Sequence, residues 1–327
     1  SLDYKNASSV MRKILIKVVN QDLKYLLKQN YSEVIKIFSS MLKINLLRYE
    51  TNGGPGVARQ YGIDHTSNGY ITFIDADDTF YGAFALKALR KGIEMNNGIY
   101  QMCVGVFDEV HEHDMPENEG PILMPHEQDM IWMFGKLYRR SYIDKYKIRF
   151  HETSRANEDN GFNTICRLCA NEQEQINFIP AHVYYWHENL NSITRQNDCQ
   201  YSYGSSERDS FYGYVENMIY AVQESKKHNP YNGMITMWAV NCMLHIYEYY
   251  IECVGRAPEH ADTNFKWCKR YYDEVYKDIE KDISNEILAQ QYNDIMRNAY
   301  IGDKLNGIIP CMGIFEFLNK LKDTEVE

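Results

Sequence analysis

The sequence predicts an α/β layer with a helical C-terminal region, on three observations. Stretches rich in β-branched and aromatic residues alternate with amphipathic helical stretches through roughly the first 200 residues. One of these stretches stops abruptly at the acidic run Asp75-Ala76-Asp77-Asp78. Beyond about residue 200 the pattern becomes helical alone.

Taken in order, Val10, Ile14, Leu15 and Val18 share one helix face, which Asn6 or Ser8 can cap, and Val34, Ile35 and Phe38 repeat the pattern. Ile44 to Tyr49 reads as a short strand. It runs into the turn Thr51-Asn52-Gly53-Gly54-Pro55-Gly56, and a helix follows from Val57 to Asp64. Gly69-Tyr70-Ile71-Thr72-Phe73-Ile74 is a second strand, succeeded by a helix expected to bury Phe84, Leu86, Leu89 and Ile93. Ile99 to Phe107 is another strand, and the alternation points to a largely parallel sheet. Asp108 to Pro125 reads as an acidic loop or hairpin tip, Gly135 to Tyr146 as a helix, and Ile148-Arg149-Phe150 as a brief strand. After Asn157-Glu158-Asp159 a helix carries Phe162, Ile165, Cys166 and Leu168, and Ile176 to Trp186 returns to strand. Tyr201 to Ser210 is a polar linker. Helices are then expected at Ile235, Trp238, Ala239, Cys242, Ile246 and Tyr249, from Phe265 to Asp282, and from Ile287 to Ala299. A boundary near residue 200 divides a 1–200 unit from a 201–327 unit.

Composition excludes several classes. The chain has 327 residues, 44% of them hydrophobic and 24% charged, ordinary for a soluble globular protein. A net charge of −10 argues against a broad nucleic-acid footprint, which needs a local excess of Lys and Arg. The 27 tyrosines serve either amphipathic packing or a stacking surface for sugar or base rings, with packing the expectation. Among eight cysteines, Cys166 and Cys169 form the only CxxC, with no second pair at zinc spacing. Buried reduced thiols and a reducing, cytoplasmic setting are therefore expected. Met234 to Val254 is interrupted by Asn241, His245, Glu248 and Glu252, too polar to span a bilayer, and no stretch has the pattern of a secretory leader.

Chemistry concentrates at Asp75, Asp77 and Asp78. Past a strand end the backbone can turn Asp75 and Asp77 onto one hard cation, Mg²⁺ or Mn²⁺. The same residues could instead cap the helix that follows Thr79, and on these residues alone both readings stay open. The imidazoles and carboxylates of Glu109, His111, Glu112, His113 and Asp114 are read as loop solvation.

The surroundings carry a resemblance. Asn52-Gly53-Gly54-Pro55-Gly56-Val57-Ala58-Arg59-Gln60-Tyr61-Gly62-Ile63, followed by Gly69 to Asp78, resembles the NxG turn, A-R-N/Q helix and G-x-Y-I-x-F-x-D-x-D-D pattern of the inverting family-two glycosyltransferases of the GT-A fold. Gly135-Lys136-Leu137-Tyr138-Arg139-Arg140, Ile148-Arg149-Phe150, Asn157-Glu158-Asp159, Tyr184-Tyr185-Trp186-His187 and Asn191-Ser192-Ile193-Thr194-Arg195 resemble its later segments. The match covers about the first 200 residues, and the wording of the turn resembles a phage-encoded branch, which would act in the host cytoplasm.

The resemblance implies a GT-A, Rossmann-like, mainly parallel sheet and a metal-dependent transfer from a nucleotide-diphosphate sugar, UDP-linked, to an acceptor hydroxyl. It implies Asp77 as metal ligand, Asp75 on the metal shell or ribose, and His187 as metal or diphosphate contact. Gly53, Arg59, Lys136 and Trp186 would lie at the donor, with Arg59 either facing the diphosphate or bracing the acidic turn. Asp159 would be the general base, supported by Glu158, since an inverting transfer needs a carboxylate opposite the leaving group. The acceptor would be a glycan, a protein or a hydroxymethylated DNA base, the last requiring a basic face around Lys136, Arg139 and Arg140. The C-terminal helices would supply an acceptor surface or a homo-oligomer interface.

The opening departs from the pattern. The family's first strand, before Asp3, and its second strand ending in D-D-G-S, between Tyr25 and Tyr31, are missing from the sequence. Chain breaks are expected at those two places. A truly shortened chain would instead be a non-catalytic nucleotide- or carbohydrate-binding module.

Overall fold

The computed structural model describes residues 47–48, 51–82, 84–111, 121–170, 174–188, 199–204, 206, 208–230, 232–302 and 304–325. The two N-terminal helices, the Ile44 to Tyr49 strand apart from Leu47 and Arg48, the expected breaks near Asp3 and between Tyr25 and Tyr31, and the Asn191 to Arg195 segment lie outside these residues.

Helix α1 (Pro55–Asp64) starts where Gly54 adopts φ 89° and Pro55, with no N–H to lose, takes the first helical turn. Strand β1 (Tyr70–Ile71) is followed by the acidic turn and then by β2 (Thr79–Phe80). Helix α2 (Ala85–Gly98) precedes β3 (Tyr100–His111), which forms a hairpin with β4 (Ile122–His126). Then come β5 (Lys136–Arg139), α3 (Arg140–Tyr146), α4 (Glu158–Leu168) and β6 (Gln175–His187). The sheet order is β1-β5-β3-β6-β2, with β4 on β3. Among the described residues β3–β6 is the one parallel ladder and the remaining pairs are antiparallel, so the sheet is mixed and this portion is not mainly parallel.

Several local expectations are corrected. Gly135 to Tyr146 is not one helix: Gly135, at φ 64°, turns the chain into β5, whose Lys136, Leu137 and Tyr138 are all buried, and the helix begins only at Arg140. Asp108 to Pro125 is not all loop, because β3 continues to His111 and β4 pairs back onto it from Ile122. Of the four residues assigned to the buried face of α2, Leu89 and Ile93 are buried while Phe84 and Leu86 are exposed; Ala85 takes the inner position at the helix start. Ile148 to Phe150 forms no strand; its backbone is held by the Phe150 N–H donating to Gln60 Oε1 at 3.0 Å.

Two apolar cores flank the sheet. One joins α1, α3 and α4 to Met102, Val104 and Tyr138; the other seats α2 against Phe107, Phe134, Val183 and Tyr184. After the short α5 (Cys199–Tyr203), within the expected linker, the chain is helical: α6 (Ser210–His228), α7 (Gly233–Arg256), α8 (Ala261–Tyr271, continuing through a π turn at Tyr272–Tyr276), α9 (Asn285–Ile301) and α10 (Ile314–Asp323). Their apolar faces form a third core that takes in Leu168 of α4. Tyr247, Tyr271, Tyr272 and Tyr276 are nearly fully buried there, the packing use of tyrosine. Cys166 and Cys169 are buried, and burial pushes the Cys169 thiol up to about 11. No helix among the described residues is long and apolar enough to cross a membrane.

Candidate active site

The acidic run is a tight turn closed by the Asp78 N–H donating to the Asp75 carbonyl at 3.2 Å. Asp78 points inward. Its carboxylate accepts from the Tyr184 hydroxyl at 2.7 Å and from the His187 backbone N–H at 3.0 Å, and the same hydroxyl accepts from the Asp75 N–H at 3.2 Å. Burial pushes Asp78 up to about 7 despite these bonds. The helix-cap alternative is not realised, since Thr79 enters β2, paired with Tyr185, and α2 begins only at Ala85. With Asp78 as the anchor, Asp77 is left exposed and Asp75 half-buried in the irregular stretch between β1 and β2.

Arg59, on α1, joins this turn to α4. Its guanidinium donates to both Asp75 oxygens at 3.0 and 3.2 Å and to Glu158 Oε1 at 2.7 Å. Burial works to lower its pKa, but Asp75, Glu158 and Asp159 outweigh burial and hold it above the usual value. Of the two expectations for Arg59, the brace is the one whose contacts are formed. Gly56 lets α1 come this close, since a Cβ there would lie 3.0 Å from Glu158 Cγ.

Glu158 and Asp159 open α4, where the helix N-terminus favours carboxylates. Glu158 is buried, and burial with neighbouring Asp159 pushes it up to about 7. Burial raises Asp159 as well, against the pull of Arg59 and Lys136. A raised carboxylate is a better proton acceptor than an ordinary one.

The remaining expected residues fall in different places. Lys136 is wholly buried, its ammonium on Asp129 Oδ1 at 3.0 Å and the Phe134 carbonyl at 3.3 Å, and burial lowers its pKa. It sits inside, near Asp159, and a direct diphosphate contact would require it to leave Asp129. Gly53 lies in the turn before α1, where the Asn52 side chain accepts from the Gly54 N–H at 3.0 Å. Trp186 stacks with Trp132 and Phe134, on the face of β6 opposite His187. His187 turns its ring to Thr79, with Nε2 3.1 Å from Oγ1. Asp75, Asp77 and His187 are thus not gathered to metal-ligand spacing in this structure. Among the described residues, the group that is gathered is Glu109, His111 and Glu188, whose ligand atoms lie within 4.8 Å of one another. Reading Glu109 and His111 as loop solvation is overturned: both lie on β3 and are largely buried, because β4 and β6 pair on either side. Glu112, His113 and Asp114 lie outside the described residues. The basic face that a DNA acceptor would need is not assembled either. Lys136 is buried, Arg139 donates to the carbonyls of Tyr100, Ile93 and Gly98, and Arg140 donates to those of Asn68 and Ile63.

The acidic turn is thus braced by Arg59 to Glu158 at the start of α4, on a mixed sheet between helices. Residues 4–155 match the family Glycosyl transferase family 2. A segment of 160 residues is 28% identical to the uncharacterized glycosyltransferase EpsJ of Bacillus subtilis (strain 168), covering 45% of this chain and 45% of that protein. The chain thus matches less than half the length of that curated relative. Among solved structures, S. aureus TarS 1-349 in complex with UDP-GlcNAc superposes with a TM-score of 0.57 at 14% identity, covering 84% of this chain and 80% of that one. Over residues 4–155 the chain is thus similar to the family-two glycosyltransferases, and it shares its fold with the TarS structure.

Sequence reading missed Tyr184 as the tie between Asp75 and Asp78, Asp129 as the partner of Lys136, and the histidine–glutamate group on β3. The aromatic Tyr184-Tyr185-Trp186-His187 run was visible, but which hydroxyl met which carboxylate depends on strand register.

Proposed function

We propose that the protein is a metal-dependent, inverting glycosyltransferase that moves a sugar from a UDP-linked donor to a hydroxyl of a glycan or protein. The observation that carries this reading is Arg59, whose one guanidinium joins Asp75 of the acidic turn to Glu158 of α4. The fold shared with a chain crystallised with UDP-GlcNAc supports the donor class.

Asp77, with Asp75, would hold Mn²⁺ or Mg²⁺; their exposed and half-exposed oxygens are the hard ligands such ions take. When bound, the ion offsets negative charge on the departing diphosphate. Asp78 keeps the turn in place through Tyr184 and His187. Asp159 accepts the proton of the acceptor hydroxyl as its oxygen bonds to the anomeric carbon. The bond from that carbon to the diphosphate breaks, and its electron pair leaves with UDP. Glu158, held by Arg59, fixes the first turn of α4 and so the direction of Asp159. The C-terminal helices support that turn and border the acceptor side.

The test is a panel of radiolabelled nucleotide sugars, scored for hydrolysis or transfer with and without Mn²⁺. Cation-dependent turnover of a UDP sugar is expected, lost in Asp77→Ala and in Asp159→Ala while both remain folded. Full activity in either variant removes that residue's role, and absence of metal-dependent UDP binding by calorimetry removes the enzymatic reading.

A further inference from the structure

The histidine–glutamate group on β3 is outside the machinery just described. His111 ends β3, Glu109 precedes it on the same face, Glu188 follows the end of β6, and His126 ends β4. Glu109, His111 and Glu188 offer ligand atoms within 4.8 Å of one another, and His126 joins them through the other Glu109 oxygen. Phe107 pairs with His126, which places His126 diagonal to Glu109, and the Glu188 N–H donates to the Val110 carbonyl at 3.0 Å. The His126 ring is fixed by stacking on Phe107, with centroids 4.4 Å apart and planes 6° from parallel.

The hydrogen bonding in this group is incomplete. His111 Nδ1 lies 2.7 Å from Glu188 Oε2, the distance of a good N–H donation. Yet His111 Nε2 and His126 Nε2 are both buried and have no hydrogen-bond partner. Each faces the Glu109 carboxylate, at 3.4 Å from Oε1 and from Oε2 respectively. If His111 gives its Nδ1 proton to Glu188, its Nε2 faces a carboxylate, an arrangement resolved either by a second ring proton or by a cation between them.

The separation itself is informative. A direct charge-assisted bond would close to about 2.7–2.9 Å. Two ligands each about 2.0–2.1 Å from a tetrahedral ion stand roughly 3.3 Å apart. A carboxylate that accepts from the far nitrogen of a ligating imidazole is the usual support for such a ligand.

We propose that Glu109, His111 and His126 bind a divalent transition-metal ion of the zinc class, with Glu188 orienting His111 through Nδ1. Two imidazoles and one carboxylate suit Zn²⁺ rather than the all-oxygen preference of Mg²⁺ or Ca²⁺. The ion would clamp the β3–β4 hairpin to the end of β6, one residue beyond the His187 N–H that anchors Asp78. This site is separate from the Asp75–Asp77 turn and does not rest on the transferase reading.

The test equilibrates the full chain with Zn²⁺, removes free metal by gel filtration, and measures retained zinc by mass spectrometry. One equivalent is expected in the wild type and in Asp77→Ala, and loss of it in His111→Gln and His126→Gln. X-ray absorption on the loaded wild type, which needs no variant to fold, is expected to show two imidazoles at about 2.0 Å. No retained zinc in the wild type, zinc lost through Asp77→Ala instead, or a shell with fewer than two imidazoles overturns the proposal.

Discussion

At the scale of single residues, the cleft depends on side chains that are buried and charged together. Arg59→Ala leaves Glu158 in the interior without its partner, a change expected to cost about 3–5 kcal/mol in urea-melt stability. Asp77→Ala, at an exposed position, should stay within about 0.5 kcal/mol of wild type while losing metal-dependent UDP binding. Asp78 gives a pH signature. Its folded pKa, pushed up to about 7, lies above that of an unfolded aspartate, about 3.9. Its ionisation is therefore disfavoured in the fold, so its contribution is fully present below about pH 4 and is lost as pH rises through about 7. Urea titrations across that window should show this decline, and Asp78→Asn should reduce it to the part that Glu158, also pushed up to about 7, contributes. The acidic residues were legible in the sequence because a strand cut off by three aspartates has few explanations. Their division of labour was not, because it is decided by Tyr184 and His187, more than a hundred residues away.

At the scale of elements, α4 is held by α6. Asn217, fully buried, donates to the carbonyls of Ala156 and Gly213 at 2.9 Å, and Asn157 donates to the Ser210 carbonyl. Gly213 permits this, since a Cβ there would lie 2.4 Å from the Ala156 oxygen. Backbone cannot yield cheaply, so Gly213→Ala should cost about 1–3 kcal/mol and lower kcat more than it raises KM, as measured by melting and initial rates. Strands and helices with clean periodicity, such as β6, α4 and α7, were readable from the sequence. The end of β3 was not: Asp108, Glu109 and His111 look like solvated loop until β4 and β6 bury them on both sides. Likewise β5 has too short a run to betray its period; Gly135, at positive φ, turns the chain into it, and the extended Arg139 separates it from α3.

At the scale of the whole molecule, the helical region from Ser210 onward is not an appendage, because Leu168 of α4 belongs to its core and Ala221 of α6 belongs to the core beneath the sheet. Ending the chain at residue 206 should expose both surfaces and give a dye-binding, non-cooperative species in thermal melts. The sequence placed its compositional boundary near residue 200, but could not reveal that apolar contacts cross it in both directions. Asp75 and Glu158 share Arg59, with Asp77 and Asp159 beside them in the chain, and Arg59 and Lys136 are already engaged by Asp75, Glu158 and Asp129. An anionic donor arriving alone is repelled, so the cation must load first or travel with the nucleotide. Added monovalent salt should then quicken metal-free nucleotide association instead of slowing it, the reverse of what a basic phosphate cradle would give.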